Sequence, residues 1–380
     1  MSTPAPPPDP RTVSVSAVTG IGEVTPATDL PRVLVTACAA AGVSLAPGDV
    51  LCVASKVVSK WLGLTAADRE TAVAADTRAV VARRVTPRGV TVVVRSAAGP
   101  VMAGAGVDES NTGPTGAVLR LPADPDGVAR RLRREVAAAM ATAGPALGTR
   151  GAASGSTAGG PPPAVVLTDT AGRPWRDGQA DFALGVAGLV PVDDARGRPD
   201  ADGRVLAVTV RALADEVASA ADLVKGKVAG VPVAVVRGLG AWVTEADGPG
   251  AARLVRDPED DWFRRGAVEA VHEALGVATD AGEAPVVPGR LPDDDVERAL
   301  ARVAAVARYR PVPGATLAVR DGAVEVSGDP VAVGRVVERV LVAAAAEALP
   351  MHATPHPSGH WTCQARLAGE PAPTRRTTRR

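Results

Sequence analysis

Short apolar runs that each close on a polar cluster recur along the first two-thirds of the chain. Residues 13–18 alternate apolar and polar, the period of a half-buried strand. Residues 29–41 carry apolar side chains at helical spacing, with Thr28 or Asp29 as N-cap and Pro31 in the first turn. The continuous apolar run 50–54 predicts a buried strand, 67–84 has helical spacing, and 90–95 is a strand of β-branched residues. A long helix is predicted over 124–143, where Asp124 caps ahead of Pro125. Residues 164–167 read as a strand ending in a polar turn, followed by a strand at 205–210, a helix at 212–223 and a strand at 231–236. Helices and strands mix without strict β-α-β alternation, which predicts an α+β fold built on a mixed sheet.

Punctuation in the sequence divides the chain. Residues 1–11 are proline-rich and read as a disordered N-terminus, and 144–163, made of Gly, Ala, Ser, Thr and Pro, as a flexible low-complexity loop within a domain spanning 12–250. Beyond it the pattern changes to helices at 262–275, 294–306 and 329–349. A hairpin at 316–326 turns on Asp321-Gly322, a dipeptide suited to a type I′ turn, and 360–367 reads as a strand. These make a small C-terminal α+β domain at 260–370, ending in a basic, disordered tail at 371–380.

Composition narrows the function classes. With five Trp, two Phe and one Tyr, the core must be built from Val, Leu and Ala, and few rings remain to stack single-stranded bases. Lys+Arg and Asp+Glu are both 42, so no global field recruits nucleic acid or an anionic membrane. Cys38, Cys52 and Cys363 form no disulfide framework, which suits a reducing compartment. Neither a signal peptide nor an apolar stretch of roughly 20 residues is visible, so the chain reads as cytoplasmic.

The polar clusters at the strand ends carry the chemistry. Gly20-Ile21-Gly22-Glu23 follows the first strand and is either a simple glycine turn or a close approach of backbone to ligand. Ser55-Lys56-Val57-Val58-Ser59-Lys60 sets two lysines and two hydroxyls at a strand end, where they can hold phosphate oxygens without a Walker loop. Ala105-Gly106-Val107-Asp108-Glu109-Ser110-Asn111 offers a carboxylate and a carboxamide for a hard cation and a nucleotide, or the same groups for an Asx turn. In Leu167-Thr168-Asp169-Thr170-Ala171-Gly172-Arg173-Pro174-Trp175-Arg176, Asp169 and Thr170 form a sensible Mg²⁺ or Mn²⁺ pair, and Arg173 and Arg176 can hold substrate carboxylate or phosphate. A fifth segment, 220–227, ends a helix with Lys225, Gly226 and Lys227, which is also how an ordinary C-cap reads.

Taken in order, the stretches 20–23, 55–60, 105–111, 167–176, 178–188, 221–227 and 232–238 resemble the coenzyme F420-0:γ-glutamyl ligase family, including the N-terminal half of its two-domain bacterial members. The resemblance implies a cytoplasmic homodimer that uses GTP, two divalent cations (Mg²⁺ or Mn²⁺) and K⁺ as a further cation, with L-glutamate and coenzyme F420-0 as substrates. By similarity Ile21, Gly22, Glu23, Val24, Ser55, Lys60 and Asn111 contact the nucleotide. Asp108 and Asp169 share one cation, Thr170 helps hold the second, and Asp108, Asp169 and Lys60 are the catalytic set. Arg173, Arg176 and Lys225 are the substrate contacts. The family's reaction phosphorylates a terminal carboxylate, and the glutamate amine then displaces the phosphate to form an amide. The alternative is a catalytically weakened relative that binds the deazaflavin or a partner.

Three departures stand out. Gly22 occupies a position where the family usually has proline, Lys227 one where many relatives offer Gln, and 95–99 lacks the Glu, Arg and His common there. The C-terminal part is too short for the flavin module of the two-domain relatives, so no FMN is predicted. Within it His352, His356, His360 and Cys363 are possible zinc ligands, but their spacing matches no established site and a mobile surface loop is the expectation.

Overall fold

The computed structural model describes residues 12–86, 89–110, 112, 118–143, 160–258, 260–274, 293–347, 349 and 351–365. Two compact units emerge, Met1–Ala79 with Arg84–Arg256, and Val80–Arg83 with Asp257–Arg380.

From the N-terminus the elements run β1 (Ser14–Val18), α1 (Leu30–Ala40), β2 (Val50–Ala54), α2 (Ser55–Trp61), β3 (Thr65–Ala66), α3 (Arg69–Asp76), β4 (Thr77–Thr86, of which Val80–Arg83 count with the second unit), β5 (Gly89–Ser96), β6 (Val101–Ala103) and β7 (Val118–Leu119). They continue with α4 (Pro125–Ala143), β8 (Ala164–Arg173), β9 (Arg176–Ala187), β10 (Asp193–Asp194), β11 (Val210–Arg211), α5 (Leu213–Lys225) and β12 (Val233–Arg237). Five strands form the central sheet in the order β1-β12-β2-β8-β9. Only β2 and β8 run parallel; the other neighbours are antiparallel, so the sheet is mixed and the class α+β.

Both faces of this sheet are covered, which is why β2 and β8 read as unbroken apolar runs rather than alternating ones. On one face Leu51, Val53, Val165, Leu167, Val233 and Val235 pack with Leu30 and Leu34 of α1 and Ala129, Leu132 and Val136 of α4. The alternate residues Val50, Cys52, Ala164, Val166, Ala234 and Val236 pack with Leu213, Ala214, Val217, Ala218 and Ala221 of α5. Helix α1 starts where its sequence says, with Asp29 accepting from the Arg32 amide. Asp124 caps α4 through the Gly127 amide at 2.8 Å.

A buried arginine locks α4 to the loops beside it. Arg133 donates through Nε to the Pro163 carbonyl (3.2 Å) and through Nη1 to the Glu245 carbonyl and Asp247 Oδ1 (both 3.0 Å). Nη2 serves the Pro162 and Thr244 carbonyls. Gly188 makes room for the guanidinium, since a Cβ there would lie 2.2 Å from Arg133 Cζ.

Several expectations are corrected. The helix expected over 67–84 ends at Asp76, and the β-branched run that follows is the strand β4. Asp76 is engaged there, its carboxylate by Arg120 Nε (2.9 Å) and its carbonyl by the Ala97 amide (2.7 Å), so tertiary bonds override helical spacing. The strand expected to stop at Leu167 runs to Arg173, because β9, which the sequence did not announce, pairs with it throughout. The strand expected over 205–210 shrinks to Val210–Arg211; Val205 and Val208 are exposed and have no apolar surface to face. Residues 1–11, most of the loop at 144–163 and the tail at 371–380 fall outside the described residues.

In the second unit α7 (Asp293–Arg308) and α8 (Pro330–Ala346) pack on a four-stranded sheet of β13 (Ala315–Arg320), β14 (Ala323–Gly328), β15 (Met351–Pro355) and β16 (Trp361–Ala365), ordered β13-β14-β16-β15. Asp321 and Gly322 both take positive φ, 48° and 72°, as a type I′ turn requires. The helix expected from 262 begins at Ala267 as α6 (Ala267–Ala274), because the Asp261 carboxylate takes the Phe263 amide and forms a local turn instead.

The histidine segment is a β-hairpin rather than a loop. Met351 and Ala353 face the core with buried Cys363, which puts His352 and His356 on the other side of the sheet. The rings of His356 and His360 stack at 4.2 Å across the turn, with no third ligand beside them among the described residues. No described helix is long and apolar enough to cross a membrane.

Replacing Arg133 with Met would leave the carbonyls of Pro162, Pro163, Thr244 and Glu245, and Asp247, without the donor that the buried guanidinium supplies. Loss of about 3 kcal/mol or more is expected, measured by urea denaturation; a change below about 1 kcal/mol would mean the guanidinium is not what holds these loops.

Candidate active site

The parallel pairing of β2 and β8 builds the site. Ala54 stands beside Thr168 in register, so the next residue of each segment, Ser55 at the start of α2 and Asp169 within β8, emerges at the same point. Ser55 Oγ donates to Asp169 Oδ1 at 3.0 Å. A register shift between Leu167 and Thr168 marks where β8 passes from the buried sheet to the polar cluster. Carboxyl ends of parallel strands are where open sheets place their ligands, and a cleft of about 410 Å³ opens there.

Four segments line it. The turn after β1 brings Ile21, Gly22, Glu23 and Val24, and α2 brings Ser55, Lys56 and Lys60. The β8–β9 pair brings Thr168, Asp169, Thr170 and Asp181, and the end of α5 brings Asp222, Lys225, Gly226 and Lys227. Lys56 and Lys60 are four apart and share a face of α2. Lys60 Nζ lies 2.6 Å from Glu23 Oε1, tying the first segment to the second. Lys56 Nζ reaches Asp108 Oδ2 at 2.9 Å and Ser110 Oγ at 2.7 Å, tying the second to the 105–110 turn. Of the two hydroxyls expected to hold phosphate, only Ser55 faces the cleft. Ser59 is buried and donates to the Arg120 carbonyl at 2.7 Å.

Charge is distributed unevenly among the carboxylates. Burial opposes ionisation of Asp108, but hydrogen bonds from Lys56 and the Ser110 amide hold its carboxyl below the usual range. Asp181 is likewise buried, and Lys225, Thr170 and Thr168 together bring it below the usual range. Asp169 differs. Burial, reinforced by the charges of Asp108 and Asp181, pushes its carboxyl up to about 6 despite the Thr170 amide and Ser55 hydroxyl. No described Lys or Arg pairs with Asp169. A buried carboxylate among others, held by hydroxyl oxygens and lacking a counter-charge, is a seat for a hard cation. The donor set of Asp108, Asp169 and Thr170 is all oxygen and fits Mg²⁺ or Mn²⁺, although no three His, Cys, Asp or Glu side chains converge as a ready metal cluster among the described residues.

The expected site residues thus separate. Ile21, Gly22, Glu23, Val24, Ser55, Lys60, Asp169, Thr170 and Lys225 line the cleft, and Asp108 is linked to it through Lys56. Arg173 and Arg176 stand instead at the outer end of the β8–β9 hairpin beside Trp175, which is 88% exposed, and do not line the cleft. Lys225 is buried against Asp181, its ammonium engaged by protein groups rather than open to substrate. Asn111 lies outside the described residues. Sequence reasoning counted Lys56 among the lysines able to hold phosphate but passed over Asp181, since only strand pairing sets it opposite Thr170.

A family model for F420-0:gamma-glutamyl ligase matches residues 20–144 and 157–238, which contain every segment of the cleft. Among curated proteins, the coenzyme F420:L-glutamate ligase of Methanopyrus kandleri is 35% identical over 261 residues, covering 64% of this chain and 94% of the relative. The enzymes of the same name from Haloarcula marismortui and Halobacterium salinarum are 34% and 36% identical, covering 68% and 66% of this chain and 99% and 94% of the relatives. With the family model spanning more than half of its length and relatives matched almost end to end, the chain belongs to the F420-0:gamma-glutamyl ligase family of amide-forming ligases.

Proposed function

We propose that this chain adds L-glutamate to coenzyme F420-0 at the expense of GTP, through an acyl phosphate, and assembles as a homodimer as the family resemblance implies. What carries the reading is Asp169, a buried carboxylate beside the end of β2 that pairs with no described Lys or Arg, in a cleft also lined by Lys60 and Lys227. A carboxylate is a poor acyl donor, and phosphorylation gives it a leaving group. Transfer of a phosphoryl group then needs positioning and charge compensation rather than a protein nucleophile. Lys60 suits that task. Its ion pair with Glu23 is largely solvent-facing on the Glu23 side, hence weak, so the ammonium can turn to a phosphate. Ser55 and the backbone of Ile21, Gly22, Glu23 and Val24 border the same space. Asp108 and Asp169 would hold one divalent cation and Thr170 help hold a second, supplying neutralisation of phosphoryl oxygens. Lys56 and Lys227 flank these groups and orient them, Lys56 through Asp108 and Lys227 through Thr170 at 2.6 Å. Glutamate's free amine closes the reaction by displacing phosphate.

Incubating the protein with F420-0, GTP, Mn²⁺ or Mg²⁺ and glutamate is expected to raise the cofactor mass by one or more glutamyl units. Asp169→Ala is expected to abolish that gain with circular dichroism unchanged. An unchanged cofactor mass with the unaltered protein would sink the reading.

Asp169 also makes a prediction without substrate. Its folded-state pKa of about 6 lies above the unfolded value of 3.8, so the proton is bound more tightly in the folded state. Stability from this group is therefore fully present below pH 3.8 and lost as pH rises through about 6. Asp169→Asn keeps the Ser55 acceptor and removes that loss. The variant is expected to be more stable than the metal-free parent by on the order of 2 kcal/mol at pH 7.5, and equal to it below about pH 4. Equal stability at pH 7.5, read from urea unfolding, would refute the cost assigned to the ionised carboxylate.

A further inference from the structure

Asp181 is assigned no role by the family resemblance, yet it is bonded on both oxygens. It stands opposite Thr170 in the β8–β9 register, where its Oδ1 accepts from Thr170 Oγ1 at 2.6 Å. Its Oδ2 accepts from Lys225 Nζ at 2.6 Å, and Lys225 also donates to Thr168 Oγ1 at 2.5 Å. The side chains of Lys225 and Asp181 are 4% and 5% exposed. Ser219 of α5 donates to the Asp181 carbonyl at 2.7 Å, fixing the strand beneath the pair.

A buried ion pair of this kind gives little net stability, because desolvation offsets most of the attraction. Its geometry suggests another use. A hydroxyl has one proton and two lone pairs. An ionised carboxylate only accepts, so the Thr170 proton must point at Asp181. Lys227 donates to the same oxygen from the other side at 2.6 Å. With its proton committed to Asp181 and one lone pair taken by Lys227, Thr170 has one lone pair left for the cleft. We propose that Asp181 and Lys225 are a positioning pair that holds the Thr170 hydroxyl as an acceptor toward the divalent cation. Lys225 keeps Asp181 charged and is thereby spent inside the protein, not on substrate. This inference rests on the ligase reading of the cleft.

The test uses the full chain, with Mn²⁺ binding in the presence of GTP followed by electron paramagnetic resonance and glutamylation followed by mass. Asp181→Asn places a carboxamide where it can donate to Thr170 and turn the proton into the cleft. It is expected to weaken Mn²⁺ binding about 10- to 100-fold, the range for groups that orient metal ligands, and to raise the Mn²⁺ needed for half-maximal turnover, with the KM for glutamate unchanged. In a Thr170→Val background the same change is expected to weaken binding no further, because the hydroxyl it orients is gone. Should Asp181→Asn fail to fold with Lys225 left unpaired, Asp181→Asn/Lys225→Met removes both charges together and is expected to show the same weakened Mn²⁺ binding. Parental Mn²⁺ affinity in either variant, or an equal further loss in the Thr170→Val background, overturns the proposal. Parental protein that neither binds Mn²⁺ with GTP nor glutamylates takes the ligase reading down with it.

Discussion

The parallel contact between β2 and β8 is the constraint on which the site depends. Every other neighbour in the sheet is antiparallel, and an antiparallel pair would send Ser55 and Asp169 to opposite ends. Because Ala54 and Thr168 are in register, Ser55 and Asp169, more than a hundred residues apart, meet at one point, where β2 ends and β8 continues paired with β9. Burial of both faces secures that register, since a one-residue slip would turn Leu51 and Val53 away from α1 and α4 and toward α5.

Around that point the chain arranges charge so that the buried carboxylate of Asp169 is left without a Lys or Arg partner among the described residues. Asp108 has Lys56, Asp181 has Lys225, and Glu23 has Lys60, while the donors to Asp169 among the described residues are the Ser55 hydroxyl and the Thr170 amide. Burial makes ionising Asp169 costly, so the carboxylate weighs against stability in this position. The rigid scaffold beneath tolerates it. Arg133 and the two apolar layers hold α4 and the sheet without drawing on the cleft residues.

How far the sequence could be read varied with the range of the interactions involved. Elements whose signals are local were legible: the Asp29 and Asp124 caps, the apolar runs of β2 and β12, and the Asp321-Gly322 turn. Elements that exist because of a partner were not. Strand β9 begins with polar residues and needed β8 beside it, and β4 follows a helix whose spacing ran on past its true end. Of the expected site residues, Ser55, Lys60, Asp169 and Thr170 come together at the cleft, close after apolar runs. Arg173 and Arg176 do not, since the strand continues past the expected turn and carries them to the exposed end of the hairpin.

By itself, then, the sequence determined the α+β character and the family, because apolar periodicity, caps and short motifs act within a few residues of themselves. Only the tertiary structure decided which carboxylate keeps no counter-ion, that Lys225 is spent on Asp181, and that Asp181 faces Thr170. Those are facts of strand pairing and burial. They depend on residues dozens of positions apart meeting in a medium where charge is costly, and no local pattern encodes such a meeting.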